Sequence, residues 1–140
     1  MSVAILLSTY NGESYISAQL YSILGQMAPN DILIIRDDGS TDNTVQAIVE
    51  FSDPRIQLMH GINIGFVASF FELLRTVSWE HDVFMLADQD DVWLPDKISR
   101  ASIALTSQDG SPHLYCSRLR LVDSQLNTLG LSPDYLKSLT

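Results

Sequence analysis

Apolar residues follow two different spacings along this chain. Val3 to Ser8, Ile32 to Arg36, Ile56 to His60, Val83 to Ala87 and His113 to Val122 are rich in Val, Ile, Leu, Met and aromatic residues, and such runs predict β-strands. The first two are apolar at almost every position, as strands buried on both faces are. Between the strands the spacing changes to steps of three and four residues: Ile16, Leu20, Ile23, Leu24 and Met27, then Val45, Ile48 and Val49, then Phe66, Val67, Phe70, Phe71, Leu74 and Val77. These stripes predict helices whose apolar faces enter a core. Pro29-Asn30, Asp53-Pro54, Gly61 and Asp109-Gly110-Ser111-Pro112 punctuate the segments as turns. Ser40 or Thr41, followed by Asp42, is expected to cap the second helix.

Strands alternating with helices predict an α/β fold: a Rossmann-like, doubly wound, mostly parallel sheet flanked by helices and joined by right-handed crossovers. Ligands of such sheets bind beyond the carboxyl ends of the strands. Three polar segments stand at those ends: Ser8 to Glu13 after the first strand, Asp37 to Asp42 after the second, and Asp88 to Asp91 after the fourth. They are expected to converge on one crevice.

Composition removes several function classes. A length of 140 residues with 46% hydrophobic side chains suits one globular domain with its own core. Cys116 is the one cysteine, which excludes a disulfide framework and any multi-cysteine zinc site. The longest apolar run, Val3 to Leu7, is far shorter than the ~18 residues of a membrane span, and no basic residue precedes it as in a signal peptide. A cytoplasmic protein is therefore expected, at most peripheral to the inner face of the membrane. Eight basic against 17 acidic residues leave no basic stripe for nucleic acid. Seven of those acids, Asp37, Asp38, Asp42, Asp88, Asp90, Asp91 and Asp96, crowd into two segments that follow apolar runs. Such clusters are usually held ionised by a cation or a hydrogen-bonding ligand.

The three segments suggest what that ligand is. Ser8-Thr9-Tyr10-Asn11-Gly12-Glu13 lacks the spaced glycines of a dinucleotide loop and the Gly-Lys-Ser/Thr ending of a P-loop. It offers the ring of Tyr10 for the face of a nucleobase and the hydroxyls of Ser8 and Thr9 for its edge. In Asp37-Asp38-Gly39-Ser40, Gly39 is free to take a positive φ, and a carboxylate there can accept from a base imide or a ribose hydroxyl. Asp88 and Asp90, one residue apart at a strand end, can face the same ligand, one on a divalent cation and one acting through water or ribose. Oxygen-only ligation favours Mg2+ or Mn2+ in an open site completed by a nucleotide.

Taken together, Ser8 to Glu13, Arg36 to Thr44, Asn63-Ile64-Gly65 and Asp88-Gln89-Asp90-Asp91-Val92-Trp93-Leu94-Pro95-Asp96-Lys97-Ile98 resemble the family 2 glycosyltransferases of GT-A fold, and within them the bacterial rhamnosyltransferase-like group. The resemblance spans nearly the whole chain. It implies a UDP-sugar or dTDP-sugar donor, a divalent cation, and inverting transfer of the sugar to a saccharide or lipid-linked saccharide in cell-surface polysaccharide synthesis. By position, it implies that Tyr10 stacks on the base with Ser8 or Thr9 beside it, and that Glu13 and Asp37 belong to the donor-binding segments. Asp38 is then on the base edge, Asp90 is the first metal ligand, and Asp88 lies nearer the ribose. Relatives often carry an arginine or amide on the helix after Asn63-Ile64-Gly65, where this chain has Ala68-Ser69-Phe70. They draw their general base from well downstream of the Asp-X-Asp motif. The 140 residues are accordingly expected to be one nucleotide-diphosphate-sugar-binding domain, the N-terminal donor half of a longer enzyme, with Asp123 the only late candidate for a base.

Other chemistries compete. Asp88-Gln89-Asp90-Asp91-Val92 also fits a haloacid-dehalogenase-like phosphotransferase with Asp88 as nucleophile, although 87 residues precede it and only Lys97 and Lys137 follow. A receiver domain needs its acid pair after the first strand. A catalytically silent nucleotide-sugar-binding module fits the lack of a base. His60, His81 and His113 have no helical partner and read as surface or strand residues, Arg118 and Arg120 as a solvent-facing strand edge. Trp93 frames the sugar pocket or packs in the core.

Overall fold

The computed structural model of the protein describes residues 1–106 and 111–133. They fall into two compact units, Met1–Ile103 and Ala104–Thr140. The first is built on a four-stranded sheet of β1 (Val3–Thr9), β2 (Ile32–Asp37), β3 (Ile56–His60) and β4 (Val83–Ala87), in the order β3-β2-β1-β4 with every pair parallel. Helices α1 (Ile16–Leu24), α2 (Thr44–Val49) and α3 (Phe66–Thr76) alternate with the strands, and α4 (Lys97–Leu105) follows β4. The α/β architecture expected from the alternation, a parallel sheet flanked by helices, is present, and four of the five expected strands stand where their apolar runs lie.

The strand order explains why β1 and β2 read as continuous apolar runs. Both are interior to the sheet and carry helices on both faces, so their side chains are buried whichever way they point. Ala4, Leu6 and Ile34 pack with Leu73 and Val77 of the third helical stripe, and Ile32, Met59, Phe70, Leu74 and Phe84 close round them. Ile5, Leu7, Leu33 and Ile35 alternate to the opposite face and are wholly buried, as are Ile16, Leu20 and Ile23 of α1. A right-handed crossover places α1 and α2 on that second face because the chain reverses direction across the sheet between β3 and β4. The reversal makes the carboxyl ends of β1 and β4 the topological switch point, where a crevice must open. Arg55 secures one corner: its guanidinium donates to Asp53, to the Met27 carbonyl at 2.7 Å and to the Leu24 carbonyl at 3.2 Å, tying the end of α1 to the start of β3.

Two expectations change. The apolar run from His113 to Val122 is not a fifth strand of the parallel sheet. Strand structure covers only β5 (Arg120–Val122), which pairs antiparallel with β6 (Thr128–Leu131) in a separate two-stranded sheet in the second unit. A strand needs a partner's hydrogen bonds, and among the described residues the backbone of the run finds one only from Leu119 onward. The cap of α2 also shifts. Asn43 precedes the helix, Asp42 accepts from the Thr44 N–H at 3.0 Å, and Ser40 turns back to the loop after β1. Asp109-Gly110 and the helix-like segment 134–139 lie outside the described residues.

Candidate functional site

The loops leaving β1 and β2 are locked to one another. Asn11, held at φ 47°, accepts from the Thr41 N–H at 2.8 Å and donates its own N–H to Ser40 Oγ at 2.9 Å. The Gly12 N–H donates to Thr44 Oγ1 at 2.8 Å, and the Glu13 N–H to Asp42 at 3.1 Å. The Glu13 carboxylate accepts from the Asn43 backbone and side chain. Asp37 closes its own turn, taking the N–H groups of Gly39 and Ser40 and the Ser40 hydroxyl. Gly39 has φ 82° as the sequence suggested, and a Cβ there would lie 3.0 Å from the Asn63 nitrogen. Tyr10 is left exposed just past the carboxyl end of β1.

Beneath it runs a buried charged network. The Arg36 guanidinium donates to Asp38, to Ser69 Oγ at 2.9 Å and to the Ile62 carbonyl at 3.2 Å, and Ser8 Oγ donates to Ser69 Oγ at 2.6 Å. Asp38 also accepts the Ile64 and Gly65 N–H groups, each at 2.9 Å, just before α3 begins. Burial pushes the Asp38 carboxyl up, but the Arg36 hydrogen bond, the two backbone donors and the Arg36 charge outweigh it and hold the group below its ordinary value. The departure at Ala68-Ser69-Phe70 thus has a structural content: Ser69 is wholly buried and joins β1, β2 and α3.

The loop after β4 completes the site. Asp88 and Asp90 are exposed, and Gln89 between them turns to β1, accepting from Thr9 Oγ1 and the Tyr10 N–H. Ser8, Tyr10, Asp38, Asn63, Gly65, Phe66, Phe70, Asp88, Gln89 and Asp90 line a crevice of about 390 Å³. Beside it, burial raises the half-buried Asp91 carboxyl, the charges of Asp88 and Asp90 add to the rise, and Lys97 opposes it. Negative charge on Asp91 is therefore disfavoured beside Asp88 and Asp90. Among the described residues no three His, Cys, Asp or Glu side chains are gathered to cage a metal. The oxygen donors suit a divalent cation such as Mg2+ or Mn2+: Asp88 and Asp90 would hold it, with ligand oxygens completing the shell.

Of the residues expected to bind the donor or the metal, Ser8, Tyr10, Asp38, Asp88 and Asp90 meet at the crevice. Thr9, Glu13 and Asp37 do not line it, because their side chains are engaged in holding the loops. Asp123 accepts from the Asn127 side chain and the Asn127 and Gln125 N–H groups within its own turn. Those bonds, that of the Asn127 side chain foremost, hold its carboxyl below the ordinary value, opposite to the need of a general base. Trp93 is core: it is 5% exposed, and the Lys97 ammonium lies 4.8 Å from its ring. Arg118 binds the Ser132 carbonyl. The sequence did not mark Phe66 and Phe70 as site residues, since both belong to an amphipathic stripe. The first turn of α3 overhangs the crevice, so its apolar residues become the wall. Gln89 carried no signal except its place between two carboxylates.

The sequence profile of the family described as "Glycosyl transferase family 2" matches residues 4–107, which hold all ten of these lining residues. The chain belongs to glycosyl transferase family 2. Curated relatives include a dTDP-rhamnosyl transferase, RfbG, of Shigella flexneri, 40% identical over 101 residues that cover 68% of this chain and 35% of that protein. Another is the Escherichia coli UDP-Glc:alpha-D-GlcNAc-diphosphoundecaprenol beta-1,3-glucosyltransferase WfgD, 36% identical over 97 residues, 69% of this chain and 38% of the relative. The chain thus spans little more than a third of the length of these curated relatives. Among solved structures, the mannosyltransferase PcManGT from Pyrobaculum calidifontis, in complex with GDP-Man and Mn2+, superposes with a TM-score of 0.68 at 23% identity over 76% of this chain and 32% of its own. That likeness confirms the glycosyltransferase fold. Family membership also overturns the phosphotransferase alternative, because the Asp-Gln-Asp segment falls within the matched span. No helix among the described residues is long and apolar enough to cross a membrane.

Proposed function

We propose that this chain is the donor-binding portion of an inverting glycosyltransferase. It takes a sugar from a UDP-sugar or dTDP-sugar and serves transfer to a saccharide or lipid-linked saccharide acceptor in cell-surface polysaccharide synthesis, at the cytoplasmic side of the membrane. The observation that carries the reading is the meeting of Tyr10, Asp88 and Asp90 on one crevice at the switch point of the sheet. Tyr10 offers its ring to the base, and Ser8 and Asp38 line the floor beneath. Asp88 and Asp90 hold the divalent cation, whose charge, when bound, stabilises the departing diphosphate. Phe66 and Phe70 form an apolar wall that limits water beside the sugar. A dTDP-rhamnosyl and a UDP-glucosyl transferase among the relatives, and Mn2+ in the PcManGT structure, support the donor and metal classes. Acceptor and general base belong to the part of such enzymes that these relatives carry beyond the matched third.

Titration of the chain with UDP and dTDP, with and without Mn2+, tests this on wild type and on Asp90→Ala. Mn2+-dependent binding that Asp90→Ala abolishes is expected. Binding indifferent to both metal and Asp90 would sink the assignment. Metal-dependent binding in a full-length enzyme that transfers no sugar would favour the silent module instead.

A further inference from the structure

Resting on that reading, the geometry points to Gln89 as the positioning residue that sets the span between the base-stacking Tyr10 and the metal-holding carboxylates. β1 and β4 pair in register from Val3↔Val83 to Leu7↔Ala87, and there the ladder stops. The two halves of the donor site lie just past that end, where no backbone bond between the strands fixes their separation. Gln89 takes over the pairing. Its Oε1 accepts from Thr9 Oγ1 at 2.6 Å and from the Tyr10 N–H at 2.9 Å, and its Nε2 donates to the Tyr10 carbonyl at 3.1 Å. The side-chain amide thus engages both backbone groups of Tyr10, as a neighbouring strand would. On the other side, Gln19 Nε2 donates to the Asp88 carbonyl at 2.8 Å from a wholly buried position. Residue 89 is pinned from β1 and residue 88 from α1, so the loop that carries the carboxylates is held to the backbone of Tyr10. Gly12 is part of the device: a Cβ there would lie 2.3 Å from Gln89 Oε1, so only glycine leaves room for the amide.

A nucleoside diphosphate must reach the base site and the metal at once, so the span shows itself as the factor by which Mn2+ strengthens nucleotide binding. Gln89→Leu keeps the bulk and removes all three bonds, and Gly12→Ala displaces the amide without altering it. Each is expected to cut the Mn2+ enhancement of UDP or dTDP affinity about tenfold, the worth of a lost hydrogen bond to the ligand frame. The double variant should be no worse than either alone, because both changes break one device. Without metal or nucleotide, the Tyr10 amide should exchange its hydrogen faster in both variants. A general loss of packing lowers the melting temperature but leaves the enhancement factor standing. Folded Gln89→Leu or Gly12→Ala protein with the wild-type enhancement would overturn the assignment, and either variant suffices if the other fails to fold. Wild-type protein without any Mn2+-dependent binding would instead overturn the donor-site reading, and Gln89's role with it.

Discussion

Replacing Asp38 with alanine separates an architectural role for this carboxylate from a purely ligand-facing one. In the folded chain its side chain is 2% exposed and accepts from Arg36, Ile64 and Gly65. Removing one partner of a buried ion pair costs about 3–5 kcal/mol, because the remaining charge stays buried. Arg36 keeps Ser69 Oγ and the Ile62 carbonyl as acceptors, which puts its share at the lower end of that range. The freed N–H groups of Ile64 and Gly65 are only part-buried, with Gly65 at the crevice, and add about 1 kcal/mol. A total of about 4 kcal/mol follows, more than 10 °C in melting temperature by the roughly 4 °C per kcal/mol expected for a domain of this size. Urea denaturation followed by circular dichroism measures it. The double variant Arg36→Met/Asp38→Ala should lose less than Asp38→Ala alone, since no unpaired guanidinium remains. A loss below about 1 kcal/mol for Asp38→Ala, with only nucleotide affinity reduced, would refute the network account.

Acid should weaken the Asp53–Arg55 clamp over a defined window. Hydrogen bonds from Arg55 hold the Asp53 carboxyl at about 2 against a usual 3.8, so its contribution is present above pH 3.8 and is lost as pH falls through 2. The stability difference between wild type and Asp53→Asn should therefore be constant from pH 7 to 5, at about 1–2 kcal/mol, and shrink between pH 4 and 2; a flat difference across that window would count against it. Gly39→Ala should cost more than Gly65→Ala. Both residues have positive φ, worth about 1 kcal/mol, but only at Gly39 does the added methyl meet backbone, so equal losses in thermal melts would contradict the crowding at Asn63. Leu6→Ala in the sheet centre should lose about 2–5 kcal/mol in the same assay, and a loss under 1 kcal/mol would mean the core repacks round it.

Particular residues show how far the sequence could be read. The Val3 to Leu7 and Ile32 to Ile35 runs identified interior strands because burial on both faces leaves no polar position. The run ending at Val122 misled because an apolar pattern records a preference for pairing and not the presence of a partner. Asp37 and Asp38 look alike in sequence, yet one closes a turn and the other anchors the entry to α3 through Ile64 and Gly65. Their difference depends on groups 26 or more residues away, which no local pattern contains.

By itself, then, the sequence determined the alternation of strands and helices, the three polar segments at strand ends and the family, because periodicity and short motifs are local properties of the chain. The tertiary structure decided which acids remain free for a ligand. Thr9, Glu13 and Asp38 are each tied by groups from distant segments and Asp37 by its own turn, whereas the side chains of Asp88 and Asp90 stay exposed beside Tyr10. Hydrogen-bond satisfaction is settled by what the fold brings within about 3 Å, and that distance is set by packing rather than by spacing along the chain.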